Sequence, residues 1–233
     1  MLKLPVTLAL AFLVQTAALA DPPSPEAIGV IFEPAEHQGR SALRVELSDE
    51  EQAAQLAGAG GNRPTFALFD FPFANGVIEV DVAAEINGRG GRDARGFAGI
   101  AFHVSADGEQ FEAVYLRMAN GTANDPLPPS PRNARAVQYV AHPGFHFADS
   151  RALRPDHYEQ PANVALGTWH RLRLHIRGSA LQAFVDDALV LSIDDLRQPD
   201  VTGPIGLWVG DGSRAHFANL TISDEAALPI VNE

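Results

Sequence analysis

The sequence predicts an all-β chain of one main domain, a sandwich or barrel of about ten strands. Three observations predict it. Short runs rich in β-branched and aromatic residues are separated by Gly, Asn, Asp and Pro along most of the chain. Apolar periodicity of 3.6 residues is nearly absent, with only Asp49 to Leu56 (DEEQAAQL) reading as a helical turn or two. Finally, Trp169 to Arg177 alternates cleanly: His170, Leu172, Leu174 and Ile176 face one way, Trp169, Arg171, Arg173, His175 and Arg177 the other. A period of two means one buried and one wet face. Burying the three aliphatic residues contributes roughly 1.5–3 kcal/mol each, enough to fix the register.

In chain order, residues 1–20 read as a signal peptide. Lys3 supplies a positive n-region, Leu4 to Val14 an apolar stretch too short to span a membrane, and Ala18-Leu19-Ala20 a cleavage site before Asp21. Residues 21–27 form a Pro-rich linker, 28–225 the β-domain and 226–233 a C-terminal tail. Asn75-Gly76 turns into a strand over Gly76–Ile86, and runs over Phe97–Val104 and Phe111–Met118 flank the turn dipeptide Asp107-Gly108. Further strands are expected over Ala136–Ala141 and Trp169–Arg177. The pair Leu181–Val185 and Ala188–Ile193 makes a tight hairpin across Asp186-Asp187, and Ile205–Val209 and Ala215–Ile222 follow. Two connections are longer than a sandwich needs. Asn120 to Arg135 is polar and Pro-rich, as a functional loop or a disordered one would be. His142 to Asn163 carries Phe145, Phe147, Tyr158 and three His, and is expected to pack over one sheet.

The formal charge is −12, becoming −13 once Lys3, the sole lysine, is removed with the signal. So acidic a surface repels phosphate backbones and anionic lipid, which disfavours nucleic-acid partners and stable membrane insertion after signal cleavage. The chain has no Cys, so neither disulfides nor a lipid-modified cysteine enters. The expected compartment is secreted or periplasmic.

In the second half, EAVYLRMANG (112–121), AVQY (136–139), Tyr158-Glu159, GTWHRL (167–172), AFVD (183–186), GPIGLWVG (203–210) and AHFANL (215–220) follow one another in a set order. This succession resembles the concanavalin A-like lectin/glucanase jelly roll, in its 3-keto-disaccharide hydrolase-like branch, from about Gly76 to Ile222. The resemblance implies two antiparallel sheets with long loops over a concave face, and a sugar on that face in many members.

Glu79, Asp81 and Glu85 resemble the catalytic strand of family 16 glycoside hydrolases, but Ala83 and Ala84 stand where the last Glu belongs. Glu79 and Glu85 are roughly 20 Å apart along an extended strand; retaining chemistry needs about 5–5.5 Å, so that mechanism is set aside. Tyr115 and Arg117 share a strand face opposite Val114, Leu116 and Met118, with Gln138 and Tyr139 on the next run. Planar donors beside aromatic rings suit sugar hydroxyls and C–H faces, and His142, Tyr158 and Trp208 complete the carbohydrate-binding candidates. The alternative for Arg117 is a structural pair with a buried acid such as Glu112 or Asp81. Glu159, beside Tyr158, is the candidate catalytic carboxylate, since partial burial would raise its pKa towards an acid's role. His103, His142, His146 and His157 match no zinc spacing, so no metal site is expected. Calcium is left open by Asp186-Asp187 and Asp194-Asp195. The leading expectation is an exported glycan-binding protein. The alternatives are a glycoside hydrolase of the same fold and an exported protein-interaction module.

Overall fold

The computed structural model describes residues 24–59 and 63–223; the expected signal peptide and C-terminal tail lie outside them. In chain order the strands are β1 (Glu26–Ile28), β2 (Val30–His37), β3 (Arg40–Leu47), β4 (Phe66–Phe73), β5 (Gly76–Ile86), β6 (Phe97–Phe102), β7 (Phe111–Arg117), β8 (Val137–His142), β9 (Glu159–Gln160), β10 (His170–Arg177), β11 (Ala180–Val185), β12 (Ala188–Ile193), β13 (Gly203–Val209) and β14 (Ser213–Ser223). Two short helices, α1 (Asp49–Leu56) and α2 (Phe147–Leu153), accompany them. The strands form two seven-stranded antiparallel sheets, a jelly-roll sandwich. The first runs β1-β4-β13-β6-β7-β8-β9 and the second β12-β11-β10-β5-β14-β3-β2.

Alternation builds the core. In the second sheet Leu172 pairs with Val80 and Leu174 with Ile78, and all four are fully buried. Ile100, Val114 and Leu116 of the first sheet join the same apolar cluster. Between β11 and β12, Asp186 and Asp187 both take left-handed φ values (49° and 67°), the geometry of a type I′ hairpin turn. Helix α1 forms where the sequence predicts it: Ser48 accepts from the Glu51 backbone N–H at 3.1 Å, and Asp49, Glu50 and Glu51 lie at the positive end of its dipole.

Four strands ahead of Gly76 escape the sequence reading, and proline explains two of them. Pro34 sits in β2, at the sheet edge where a missing N–H costs no ladder bond. Pro72 sits in β4 where the register against β13 slips between Gly203 and Ile205, so the strand bulges around it. Nor are the long connections structureless. The first is ordered by a 3-10 turn over Arg132–Ala134 and by the Asn124 amide, which donates to Met118 and Gly121 carbonyls at 2.8 Å. The second contains α2, whose first turn is closed by the Asp149 carboxylate accepting from the His146 N–H at 2.9 Å.

Candidate functional site

Strand register assembles a site on the outer face of the first sheet. One row crosses all seven strands: Ile28, Phe66, Trp208, Gly99, Tyr115, Gln138 and Glu159 are successive partners. Side chains in such a row share a face. Gly99 sits between the two large rings, and a Cβ there would lie 2.4 Å from the Tyr115 Cα. Its bareness lets Tyr115 and Trp208 close to 4.7 Å between ring centroids, tilted by 32°. The Trp208 indole N–H donates to the Arg63 carbonyl at 3.1 Å, so the ring is held at both ends.

Above this floor opens a cleft of about 470 Å³. The β7–β8 connection contributes Asn120, Arg132 and Arg135, and α2 contributes Phe147 and Arg151. Arg95, Phe97 and Arg117 come from the sheet and the segment leading into it, and Asp93 and Asp211 complete the rim. Tyr115 and Trp208 are each only 2% exposed, so they serve as a packed floor. The open rings are the half-buried Phe97 and the 47% exposed Phe147, over which the Arg151 guanidinium lies at 4.9 Å.

Glu159 lies beneath the arginines, 2% exposed. Its Oε1 accepts from Arg151 Nε at 2.6 Å and pairs with Arg135 Nε at 3.0 Å. Its Oε2 accepts from Arg117 Nη1 at 3.0 Å and from Arg151 Nη2 at 2.8 Å. Burial pushes this carboxyl up, but the hydrogen bonds and charges of Arg151 and Arg117 outweigh it and hold it below the usual carboxylate range. The expectation of a raised, acid-like Glu159 is therefore corrected: it is an ionised anchor. The acid partner that the sequence left open for Arg117 is Glu159, not Glu112 or Asp81. Glu112 instead binds His103 at 2.6 Å and the Tyr139 hydroxyl, while Asp81 binds Arg171 at 3.1 Å on the other sheet.

The other sequence candidates divide by face. Tyr115, Arg117, Gln138 and Trp208 come together, with Gln138 Oε1 accepting from Arg117 Nη2 at 2.9 Å. His142 shares that face but stacks on Phe111 at 5.3 Å, outside the cleft walls. Tyr139 and Tyr158 do not join them. Both rings are buried between the sheets, because alternation along β8 turns Tyr139 inward when Gln138 points outward, and Tyr158 donates to Asp195 at 2.5 Å. Glu79 and Asp81 lie on the outer face of the second sheet, ion-paired with Arg171 and Arg173. Asp186 and Asp187 are engaged by His170 and Arg173, both at 2.8–2.9 Å. Among the described residues one set of potential metal-binding atoms converges, that of His157, Asp194 and Asp195, with Arg154 Nη1 3.5 Å from Asp194.

Sequence reasoning missed Arg95, Arg132, Arg135, Arg151 and Phe97 as wall residues. A signal was present for three of the arginines: in a strongly acidic chain, Arg132, Arg135 and Arg151 fall in the two long connections rather than on the alternating strands, while Arg95 precedes β6.

A sequence profile described as the 3-keto-alpha-glucoside-1,2-lyase-like domain matches residues 34–223. No curated protein matches the chain. Of solved structures, the carbohydrate binding module CBM66 from Bacillus subtilis superimposes with a TM-score of 0.53 at 15% identity, over 85% of this chain and 97% of that one, and so shares the fold. The galectin LEC-6 from Caenorhabditis elegans superimposes with a TM-score of 0.40 at 12% identity, over 70% of this chain and 97% of that one.

Proposed function

Since the chain belongs to the 3-keto-alpha-glucoside-1,2-lyase-like family, we propose that it binds a glycan in the cleft on the outer face of its first sheet. The observation that carries this reading is the pairing of open rings, Phe97 and Phe147, with convergent planar donors from Asn120, Arg132 and Arg135 over a rigid floor. A pyranose has an apolar C–H face and a rim of hydroxyls, and the cleft offers a complement to each. That CBM66, a carbohydrate binding module, has the same fold adds to the reading. The stretch from Lys3 to Ala20 supports a site of action outside the cytoplasm, secreted or periplasmic.

The family description favours a second reading, cleavage of a keto-glucoside in the same cleft. The carboxylates placed to act are Asp93 and Asp211, which line it, rather than the arginine-locked Glu159. A glycan array probed with the wild-type protein and with Phe97→Ala and Phe147→Ala, with products assayed from the same wells, tests both readings. Binding reduced in both variants is expected. No glycan bound, or binding indifferent to both changes, sinks the proposal. Product that disappears in Asp93→Asn or Asp211→Asn decides for cleavage.

A further inference from the structure

The cleft's charge is opposite in sign to that of the chain. Arg95, Arg117, Arg132, Arg135 and Arg151 line it, against Asp93 and Asp211 on the rim and Glu159 beneath, in a protein of net charge −12. Glu159 is already saturated by three of the five. Arg132 has no carboxylate among the described residues: its Nε donates to Asn120 Oδ1 at 3.2 Å and its Nη2 to the Ala119 carbonyl at 3.3 Å. Arg95 leans on two carbonyls and on Asp93, whose side chain is 78% exposed and screened by water. Burial, and then the charge of Arg132, lowers the Arg95 pKa, with Arg117 adding to the effect. The cluster repels itself, and an anion placed among these guanidiniums would relieve it.

Resting on the glycan reading above, we propose that the cleft selects an acidic sugar, one whose ring carries an oxyanion as a carboxylate or sulfate ester, held by Arg95, Arg132 and Arg135. Guanidinium forks match both groups with paired N–H donors, and a cleft with low-dielectric walls concentrates their field. Neutral sugar hydroxyls need donors but no net positive charge, so hydroxyl recognition alone leaves the excess arginines unexplained. Outside the cleft the acidic surface repels further anionic residues. Affinity should therefore level off with short oligosaccharides instead of growing with chain length.

The test is calorimetric titration of the full chain with three matched sets of tetrasaccharides. These are uronates of the gluco, galacto, manno and gulo series, their carboxyl-reduced neutral counterparts, and sulfate esters of those neutral forms. At least one acidic form should bind about tenfold more tightly than its neutral counterpart, a difference that salt erodes. Arg132→Gln should remove most of that preference, weakening the acidic form about tenfold and the neutral form, which loses only a hydroxyl donor, far less. Asp93→Asn should increase the preference. Whether the uronates or the sulfate esters bind tells which oxyanion is read. Neutral forms binding as tightly as acidic ones, or Arg132→Gln weakening both alike, would overturn the inference while leaving the glycan reading intact. No binding by any set, with a blank glycan array, would remove both.

Discussion

Arg117 and Glu159 meet at 3.0 Å across β8, and the same guanidinium holds Gln138 of the intervening strand at 2.9 Å. Arg117 thus has a wall position in the cleft and a structural role beneath it. Arg117→Ala should cost about 1.5–3 kcal/mol of stability, the worth of hydrogen bonds to a charged group, because Arg135 and Arg151 still hold Glu159. Glu159→Gln removes the shared anion from all three and should cost about 3–5 kcal/mol. Denaturant titration of both variants checks the order. Equal costs would mean that the arginines do not share the acid's stabilisation.

Acid should expose the same carboxylate. Its folded pKa lies below the ordinary value of about 4.3 that it regains on unfolding. Its contribution is therefore complete above about pH 4.3 and is lost as pH falls through the lower, folded value. Wild-type denaturation midpoints should drop more steeply below about pH 4 than those of Glu159→Gln. Parallel curves would assign the acid sensitivity to other groups, such as Glu46, which Arg214 and Asn87 also hold below its usual range against the upward push of burial.

The division between floor and open rings can be read by substitution. Trp208→Ala should destabilise by about 3–5 kcal/mol, as for a fully packed aromatic. Phe147→Ala, at an exposed ring, should change stability by less than about 1 kcal/mol and act on binding instead. Thermal melts paired with glycan titration separate the two effects. A stable Trp208→Ala protein would show that the floor is not load-sharing.

Tyr139→Phe should leave glycan affinity unaltered, since its ring faces the core. It should cost about 1–2 kcal/mol, because the hydroxyl bridges Glu112 and the Arg197 N–H inside the sandwich. Parallel melts and titrations decide. A loss of affinity without a loss of stability would bring Tyr139 back into the site.

Leu174→Asp should unfold the domain, with a charge forced between the sheets at a fully buried position. Arg173→Gln, on the outer face beside Glu79 and Asp187, removes the charge without reversing it and should cost about 1 kcal/mol or less. Comparable melting temperatures for the two would mean that the faces of β10 are reversed.

Alternation made the second half of the fold legible. Trp169 to Arg177 declared its faces, and the helix after Ser48 and the turn at Asp186-Asp187 carried their own local chemistry. The first half was opaque where Pro34 and Pro72 look like strand breakers, since edge position and bulging are properties of the assembled sheet. For the site, Tyr115 and Arg117 could be paired because they share one strand. Tyr139 departs from the expected site by the same rule: alternation along β8 sets it opposite Gln138, so only one of the two can face the cleft. Arg95, Arg132 and Arg151 meet only after two long connections fold over the sheet, and no local spacing encodes that meeting.

The two borders of the cleft-bearing sheet are β1, three residues long, and β9, two residues long. An edge strand ordinarily offers a row of unpaired backbone groups on which another chain can template itself. Here either border can offer an incoming strand only a few ladder bonds. Two such short borders give a second copy few ladder bonds to gain by pairing edge to edge through β1 or β9.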